Sequence, residues 1–128
     1  MTEHEIQNEI FRTFGTRPEL LLMRQNVGLA VPSGVVLQAL ALLRKGDVYK
    51  AATVLATARP IRFGMVGQAD ITGIMLGGRR LEIEVKAPAG KQSPEQVNYQ
   101  RMIEKHGGRY ILARSVQDVE QGLSSGHP

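Results

Sequence analysis

The chain has 128 residues, of which 42% are apolar and 22% are charged, and it carries a net charge of +4 with no cysteine. This length and composition predict one globular domain, and the lack of cysteine excludes disulfides and thiolate zinc sites. No apolar run reaches the roughly 20 residues of a transmembrane helix. Since the N-terminus also lacks a signal-peptide pattern, we expect a cytoplasmic protein without a membrane partner.

The first predicted element is a helix that begins after Thr2, with Glu5 placed to complete a capping box. Its apolar line is formed by Ile6, Ile10 and Phe14. On a helical projection, Glu3 lies within about 20° of the centre of that line, whereas Glu5 and Glu9 point away. An acid aligned with the core face is aimed either at a functional site or at the positive end of its own helix.

Two helices are predicted in the middle of the chain, over Val35–Lys45 and Asp47–Ala58, with Gly46 between them. The first is apolar nearly all round, so it must be buried on more than one side. A subunit interface and packing against a sheet of the same chain explain this pattern equally well. The segment 21–69 holds six basic residues and one acid, which favours a polyanionic partner such as DNA.

A strand hairpin is predicted next. Strict alternation of apolar and charged residues from Leu81 to Lys86 predicts a half-buried strand with Glu82, Glu84 and Lys86 on one face. A second strand is predicted over residues 69–76, and the Gly77-Gly78 pair between the two runs predicts a hairpin turn.

The length of the hairpin loop decides whether Asp70 and Glu84 share a face. A two-residue loop sets Asp70 opposite Val85, whereas a three-residue loop or a bulge sets it opposite Glu84 or Lys86. Carboxylates opposed at about 5 Å repel unless a cation lies between them, and Mg²⁺ takes such oxygen ligands. Lys86 beside them can orient or deprotonate an attacking water. The alternative is an exposed sheet face with a weak Glu84–Lys86 surface pair.

A helix is predicted from Ser93, which can cap it, to about His106, before Gly107. Gln96 and Tyr99 share one face near its start, where they either support a site or serve as capping-box and core residues. Lys91 and the positive end of this helix favour a bound phosphate.

The chain is predicted to end with a strand over Arg109–Ala113 and a short helix capped by Ser115. A flexible tail is predicted from Gly122 to Pro128.

Three segments in this order carry a resemblance to a known family: Met65-Val66-Gly67-Gln68-Ala69-Asp70, Glu84-Val85-Lys86-Ala87-Pro88 and Ser93-Pro94-Glu95-Gln96-Val97-Asn98-Tyr99. With Arg24–Gly28 and Arg59–Gly64, they resemble the VRR-NUC family, a branch of the PD-(D/E)XK nuclease superfamily. The resemblance covers nearly the whole chain apart from roughly residues 33–58. It implies an α/β fold over residues 1–121, with a mixed central sheet flanked by helices and a helical insert at 34–58.

The resemblance also implies an activity, that of a Mg²⁺- or Mn²⁺-dependent deoxyribonuclease. Its implied metal ligands are Asp70, Glu84 and the backbone carbonyl of Val85. Lys86 is the implied catalytic lysine, Gln96 supports it, and Glu3 assists at the metal, directly or through water. The residues expected to contact DNA are Arg24, Arg62, Arg79, Arg80, Lys91 and Tyr99.

Small stand-alone members of this family resemble dimeric Holliday-junction resolvases. The expected partner is therefore DNA, branched or duplex, and the expected assembly is a homodimer. Two alternatives remain open from the sequence: a non-catalytic DNA-binding module that retains the nuclease fold, and a small-molecule-binding α/β domain whose acidic motif is coincidental.

Overall fold

The structure is a computed structural model, and it describes residues 1–25 and 28–125. For residues 28, 29, 62 and 63 it describes the backbone alone. Over these residues the chain is mixed α/β, with five helices and six strands. The elements are α1 (Glu3–Phe14), β1 (Leu20–Arg24), β2 (Gly28–Ala30), α2 (Ser33–Arg44), α3 (Val48–Ala56), β3 (Ile61–Phe63), β4 (Ile71–Met75), β5 (Arg80–Val85), α4 (Pro94–Lys105), β6 (Arg109–Ala113) and α5 (Val116–Ser124).

The chain divides into two compact units, Met1–Asn26 with Met65–Pro128, and Val27–Gly64. The first contains a four-stranded sheet in the order β1-β4-β5-β6. Its β1–β4 and β4–β5 pairs are antiparallel and its β5–β6 pair is parallel, which confirms the predicted mixed sheet. Apolar residues of α1, α5 and the inner strands form one core, and α4 packs against β6 in a smaller cluster.

Both predicted capping boxes are present. Thr2 accepts a hydrogen bond from the Glu5 N–H while the Glu5 carboxylate accepts one from the Thr2 N–H, and Ser93 and Gln96 repeat this exchange at the start of α4. The apolar line of α1 is fully buried, as its spacing predicts. These local signals therefore fix where the two helices that flank the candidate site begin.

The β4–β5 hairpin has the odd register that the two-acid arrangement requires. Ile71 pairs with Ile83 and Ile74 with Arg80, and the Met75 N–H donates to the Arg79 carbonyl. The loop is therefore three residues long and contains Gly77 and Gly78, which adopt φ angles of 88° and 84°. One step beyond Ile71–Ile83, this register sets Asp70 across from Glu84, so of the loops that the sequence left open the three-residue loop is the one present.

The expectation of a half-buried β5 is wrong. Leu81, Ile83 and Val85 lie in the main core, but Glu82 and Glu84 on the other face are also buried, at 0% and 2% exposure. Side chains of α4 contact both acids, which leaves these two carboxylates almost no access to bulk solvent. Alternation along a strand reports which residues share a face, and here a helix covers the polar face as well.

The second unit contains the two predicted helices, with Gly46 at φ 79° between them. It also contains β2 and β3, which pair antiparallel and lie in segments where no hairpin was predicted. The helical insert predicted over residues 34–58 therefore belongs to a larger unit, Val27–Gly64.

The last helix continues to Ser124, so residues 122–124, which the sequence assigned to a flexible tail, are helical. Residues 126–128 of that predicted tail lie outside the described residues. Within the described part of the chain, no helix combines the length and hydropathy needed to cross a membrane.

Candidate active site

Asp70 and Glu84 form the centre of the candidate site. Asp70 precedes β4 and Glu84 lies near the end of β5, and the hairpin register sets them side by side on the face covered by α4. The Val85 N–H donates to Asp70 Oδ2 over 2.8 Å, which fixes this carboxylate against the strand. Glu84 Oε1 is hydrogen-bonded, whereas its buried Oε2 has no partner among the described residues.

Asp70 and Glu84 each have a raised pKa. Burial, followed by the negative charge of Asp70, raises the pKa of Glu84 to about 8. Burial also raises the pKa of Asp70, although its hydrogen bond from the Val85 N–H opposes that shift. A buried and a half-buried carboxylate side by side are costly when both are ionised, and a proton or a cation between them removes that cost.

Lys86 lies next to this pair. Its Nζ is 3.7 Å from Glu84 Oε1, and the side chains of Lys86 and Glu84 are 14% and 3% exposed. The pair is therefore not the weak surface pair that the sequence left open as an alternative. The lysine charge lowers the pKa of Glu84 without offsetting burial and Asp70.

Gln96 uses both ends of its side-chain amide. Its Oε1 accepts from the Ser93 N–H over 2.8 Å, and its Nε2 donates to Glu84 Oε1 over 2.8 Å. Because a backbone N–H can only donate, the capping contact fixes the amide orientation and directs its NH₂ group to Glu84. The capping interpretation is confirmed, and the same side chain also holds Glu84 by a hydrogen bond.

Glu3 approaches the same site from α1. Its Oε1 accepts from the Ala87 N–H at 3.4 Å, directly after Lys86, and its negative charge contributes to the raised pKa values of Asp70 and Glu84. Glu5 is exposed, as expected, whereas Glu9 is half-buried. Of the three acids on this helix, Glu3 is therefore the one brought to the site.

The oxygen ligands available for a metal ion are few. Among the described residues, no group of three or more histidine, aspartate or glutamate side chains is arranged to hold one. The Val85 carbonyl adds an oxygen, because the N–H and C=O of a strand residue point to the same side and the N–H meets Asp70. Two carboxylates, one of them with an unpartnered buried oxygen, and this carbonyl suit Mg²⁺ or Mn²⁺, which retain several waters.

Tyr99 does not fit the predicted DNA contact. It is 4% exposed, and its hydroxyl donates to Glu82 Oε1 over 2.8 Å. The same oxygen accepts from Thr72 Oγ1 at 3.2 Å and from Arg80 Nε at 2.7 Å. Tyr99 therefore belongs to a buried network around Glu82, two residues before the acid of the site, which sequence reasoning missed.

The basic residues expected to contact DNA are dispersed. Arg80 begins β5 and is about 13 Å along the strand from Glu84, and Arg79, the residue before the strand, donates to the Gly107 carbonyl. Arg24 is held by Gln7 and Asn8 of α1 and stacks on Phe11. Of the other two expected DNA contacts, Lys91 is exposed in the loop after Lys86, and the Arg62 side chain lies outside the described residues.

Gly67 positions α4 against the loop that precedes Asp70. Its φ is 83°, and a Cβ there would overlap the Glu95 carbonyl and lie 2.9 Å from the Gln96 nitrogen. Only glycine allows this approach, which places Gln96 within reach of Glu84. The sequence contained the glycine, but its contact with α4 depends on tertiary structure.

Arg114 is a second residue that sequence reasoning missed. It directly follows the Val85–Ala113 pair of the parallel ladder, so the next register position places it beside Lys86. Its Nη1 is buried with no hydrogen-bond acceptor among the described residues. An unpartnered buried guanidinium N–H is costly, so this nitrogen is a candidate ligand for an anion.

Comparison of the sequence with models of protein families and with curated proteins gives no match. The case for a function therefore depends on the geometry of the site and on the motifs that resemble VRR-NUC nucleases.

Proposed function

We propose that this protein is a Mg²⁺- or Mn²⁺-dependent nuclease of the VRR-NUC type, with a PD-(D/E)XK core, that hydrolyses phosphodiester bonds in DNA. The observation that carries this proposal is the strand register that sets the half-buried Asp70 across from the buried Glu84, directly beside Lys86. Two adjacent carboxylates with little access to solvent cost stability unless a proton or a cation neutralises them.

Asp70, Glu84 and the Val85 carbonyl would hold the cation. When bound, it would neutralise the acid pair and polarise the scissile phosphate. The unpartnered Glu84 Oε2 is the oxygen best placed to accept it, because Oε1 already accepts from Gln96.

The remaining residues of the candidate site would position the attacking water and Glu84 and would supply charge around the phosphate. Lys86 orients the attacking water and offsets the negative charge that develops on the phosphate. Gln96 holds Glu84 in a fixed rotamer, and Glu3 adds a third negative charge at the edge of the site. Arg114, at the register position beside Lys86, supplies a further cationic group for the phosphate.

DNA is the proposed partner on the ground of charge. Residues 27–64 contain five basic residues and one acid, so they carry the whole of the net charge of +4. Branched DNA such as a four-way junction is the substrate that the family resemblance favours.

The test is cleavage of labelled duplex, single-stranded, flap and four-way DNA with Mg²⁺, with Mn²⁺ and with a chelator. The proposal predicts cleavage that needs the metal, with the highest rate on branched DNA. DNA binding that falls steeply with salt but never leads to cleavage would instead identify a non-catalytic module. Weak binding that is insensitive to salt would favour a small-molecule-binding domain.

A further inference from the structure

Part of the sheet face that carries the acids of the candidate site is exposed. On the neighbouring strands β1 and β4, the side chains of this face include Leu21, Met23 and Ile74, which are 55%, 44% and 44% exposed. The register pairs Leu21 with Ile74 and Met23 with Thr72, so these side chains lie side by side. They form an apolar strip beside the polar face of β5.

A groove of about 370 Å³ lies on this strip, and we call it the β4 groove. Its apolar lining includes Met23 and Ile74, and its polar lining consists of Gln25, Thr72 and Arg80. Arg80 is the one charged side chain among the described residues that line it. An apolar groove with a single cation suits a ligand that combines an anionic group with an apolar body.

The β4 groove leads away from the candidate active site. At one end of it, the Gln25 N–H donates to the Asp70 carbonyl over 2.8 Å. Thr72 follows two residues later on the same face of β4, and Ile74 pairs with Arg80 of β5 at the other end. Four residues of a strand span about 13 Å, so this is the distance along β4 from Asp70 to the level of Arg80.

Arg80 is held in position by a buried acid. Its Nε donates to Glu82 Oε1 over 2.7 Å, and the Glu82 side chain is fully buried whereas that of Arg80 is 52% exposed. The same oxygen accepts from Tyr99 and Thr72, so the carboxylate is fixed to α4 and β4. Anchoring through Nε leaves the terminal NH₂ groups of the guanidinium as donors, which match two oxygens of a phosphate.

We propose that the β4 groove binds an unpaired strand of the DNA substrate, with Arg80 on one of its phosphates and base faces against Met23 and Ile74. Isoleucine and methionine are among the side chains that contact base faces where a stack is opened. The groove volume is that of a small-molecule site, so it admits nucleotides of one strand and is too narrow for a duplex. This inference rests on the proposed nuclease function, to which it adds a path for the strand beyond the cation site.

The test is binding of a labelled single-stranded DNA oligonucleotide in chelator, followed by fluorescence anisotropy over a range of salt concentrations. Arg80→Gln removes the cation of the groove, so we expect about 10-fold weaker binding and a salt slope lower by about 0.7. The matched control is Tyr99→Phe, which removes another donor to the same Glu82 oxygen but no charge, and it should bind as the wild type does. Unchanged binding by Arg80→Gln, or an equal loss in Tyr99→Phe, would overturn the proposal.

A duplex of the same sequence tests whether the strand must be unpaired. Arg80→Gln should leave duplex affinity within about 2-fold of the wild-type value, because the phosphates of a duplex do not reach into the groove. An equal loss of affinity for duplex and single strand would make Arg80 a general phosphate contact and would contradict a groove for one strand.

A second pair of variants covers the case in which Arg80→Gln fails to fold because Glu82 loses a partner. Ile74→Glu places a negative charge in the β4 groove without touching that network, and it should weaken single-strand binding by at least about 10-fold. The control is Leu76→Glu, which adds the same charge at an exposed apolar residue just after β4 that does not line the groove. Equal effects of the two substitutions would contradict the proposal. Since all of these measurements are made in chelator, their outcome is separate from that of the metal-dependent cleavage assay.

Discussion

Gln96 donates from its side-chain amide to Glu84 over 2.8 Å, and the other end of that amide caps α4 through the Ser93 N–H over 2.8 Å. The start of the helix and the acidic strand are thereby coupled through one side chain. A residue explained by helix capping alone thus also sets the position of the acid that the proposed chemistry depends on.

Two substitutions separate these roles of Gln96. Gln96→Glu keeps an acceptor for the Ser93 N–H but puts a carboxylate against Glu84, whereas Gln96→Ala removes both contacts. Both should reduce cleavage by about 10-fold to 100-fold, since the position of Glu84 is lost or its charge is opposed. Only Gln96→Ala should also lose about 1 kcal/mol of stability from the cap. Cleavage rates and denaturant midpoints of the two variants give the comparison, and wild-type cleavage by both would contradict the assigned role.

The raised pKa of Glu84 predicts how stability depends on pH without metal. Between its ordinary value of 4.5 and about 8, the folded state retains a proton that the unfolded chain has lost. The folded state then binds more protons, so stability falls as pH rises through this window and levels off above it. Glu84→Gln removes this loss while keeping an acceptor for Gln96. Thermal unfolding in chelator from pH 5 to pH 8.5 should show the variant gaining on the wild type as pH rises, and parallel curves would refute the shift.

Gly67→Ala should disturb the site from a distance. The alanine would meet both an unfavourable φ and the backbone of Glu95, so we expect a loss of about 2–4 kcal/mol and a large drop in cleavage. The matched control is Gly107→Ala at the other end of α4, where φ is 85° but nothing lies within 4 Å of the added Cβ. It should cost only about 1–2 kcal/mol and leave cleavage intact. Equal effects of both substitutions on cleavage would remove the positioning role of Gly67.

Tyr99→Phe tests whether this residue contacts DNA or holds Glu82. Loss of its hydroxyl should destabilise the fold by about 1–2 kcal/mol, because Glu82 loses one of three donors in a buried site. DNA affinity and its dependence on salt should not change, since the ring is inside the molecule. A weaker affinity at unchanged stability would instead support the DNA contact expected from the sequence.

Local patterns in the sequence predicted much of the site. Gly77-Gly78 and the alternation along β5 located the hairpin and reduced the register to a few solutions, of which the three-residue loop sets Asp70 beside Glu84. Capping residues located the starts of α1 and α4, which carry Glu3 and Gln96. These features depend on neighbours in the chain, and the structure reproduces them.

The failures concern contacts between distant segments. Burial of Glu82 and Tyr99 follows from α4 covering the second face of β5, which no alternation pattern reveals. The close approach of Gly67 to Glu95 and the burial of the unpartnered Arg114 nitrogen also depend on tertiary contacts that no local pattern reveals. The distance of Arg80 from the acids could have been read from the sequence, because positions four apart on one strand lie about 13 Å apart.

The most direct test of the account is the rate of cleavage of a labelled four-way DNA junction in Mn²⁺ by the wild type, Glu84→Gln and Lys86→Ala, at equal concentration of folded protein. We predict cleavage by the wild type that stops in chelator and a loss of at least about 100-fold in both variants, with junction binding retained. Equal cleavage by the wild type and Glu84→Gln, or cleavage that persists in chelator, would contradict the assignment of Asp70, Glu84 and Lys86 as a metal-dependent nuclease site.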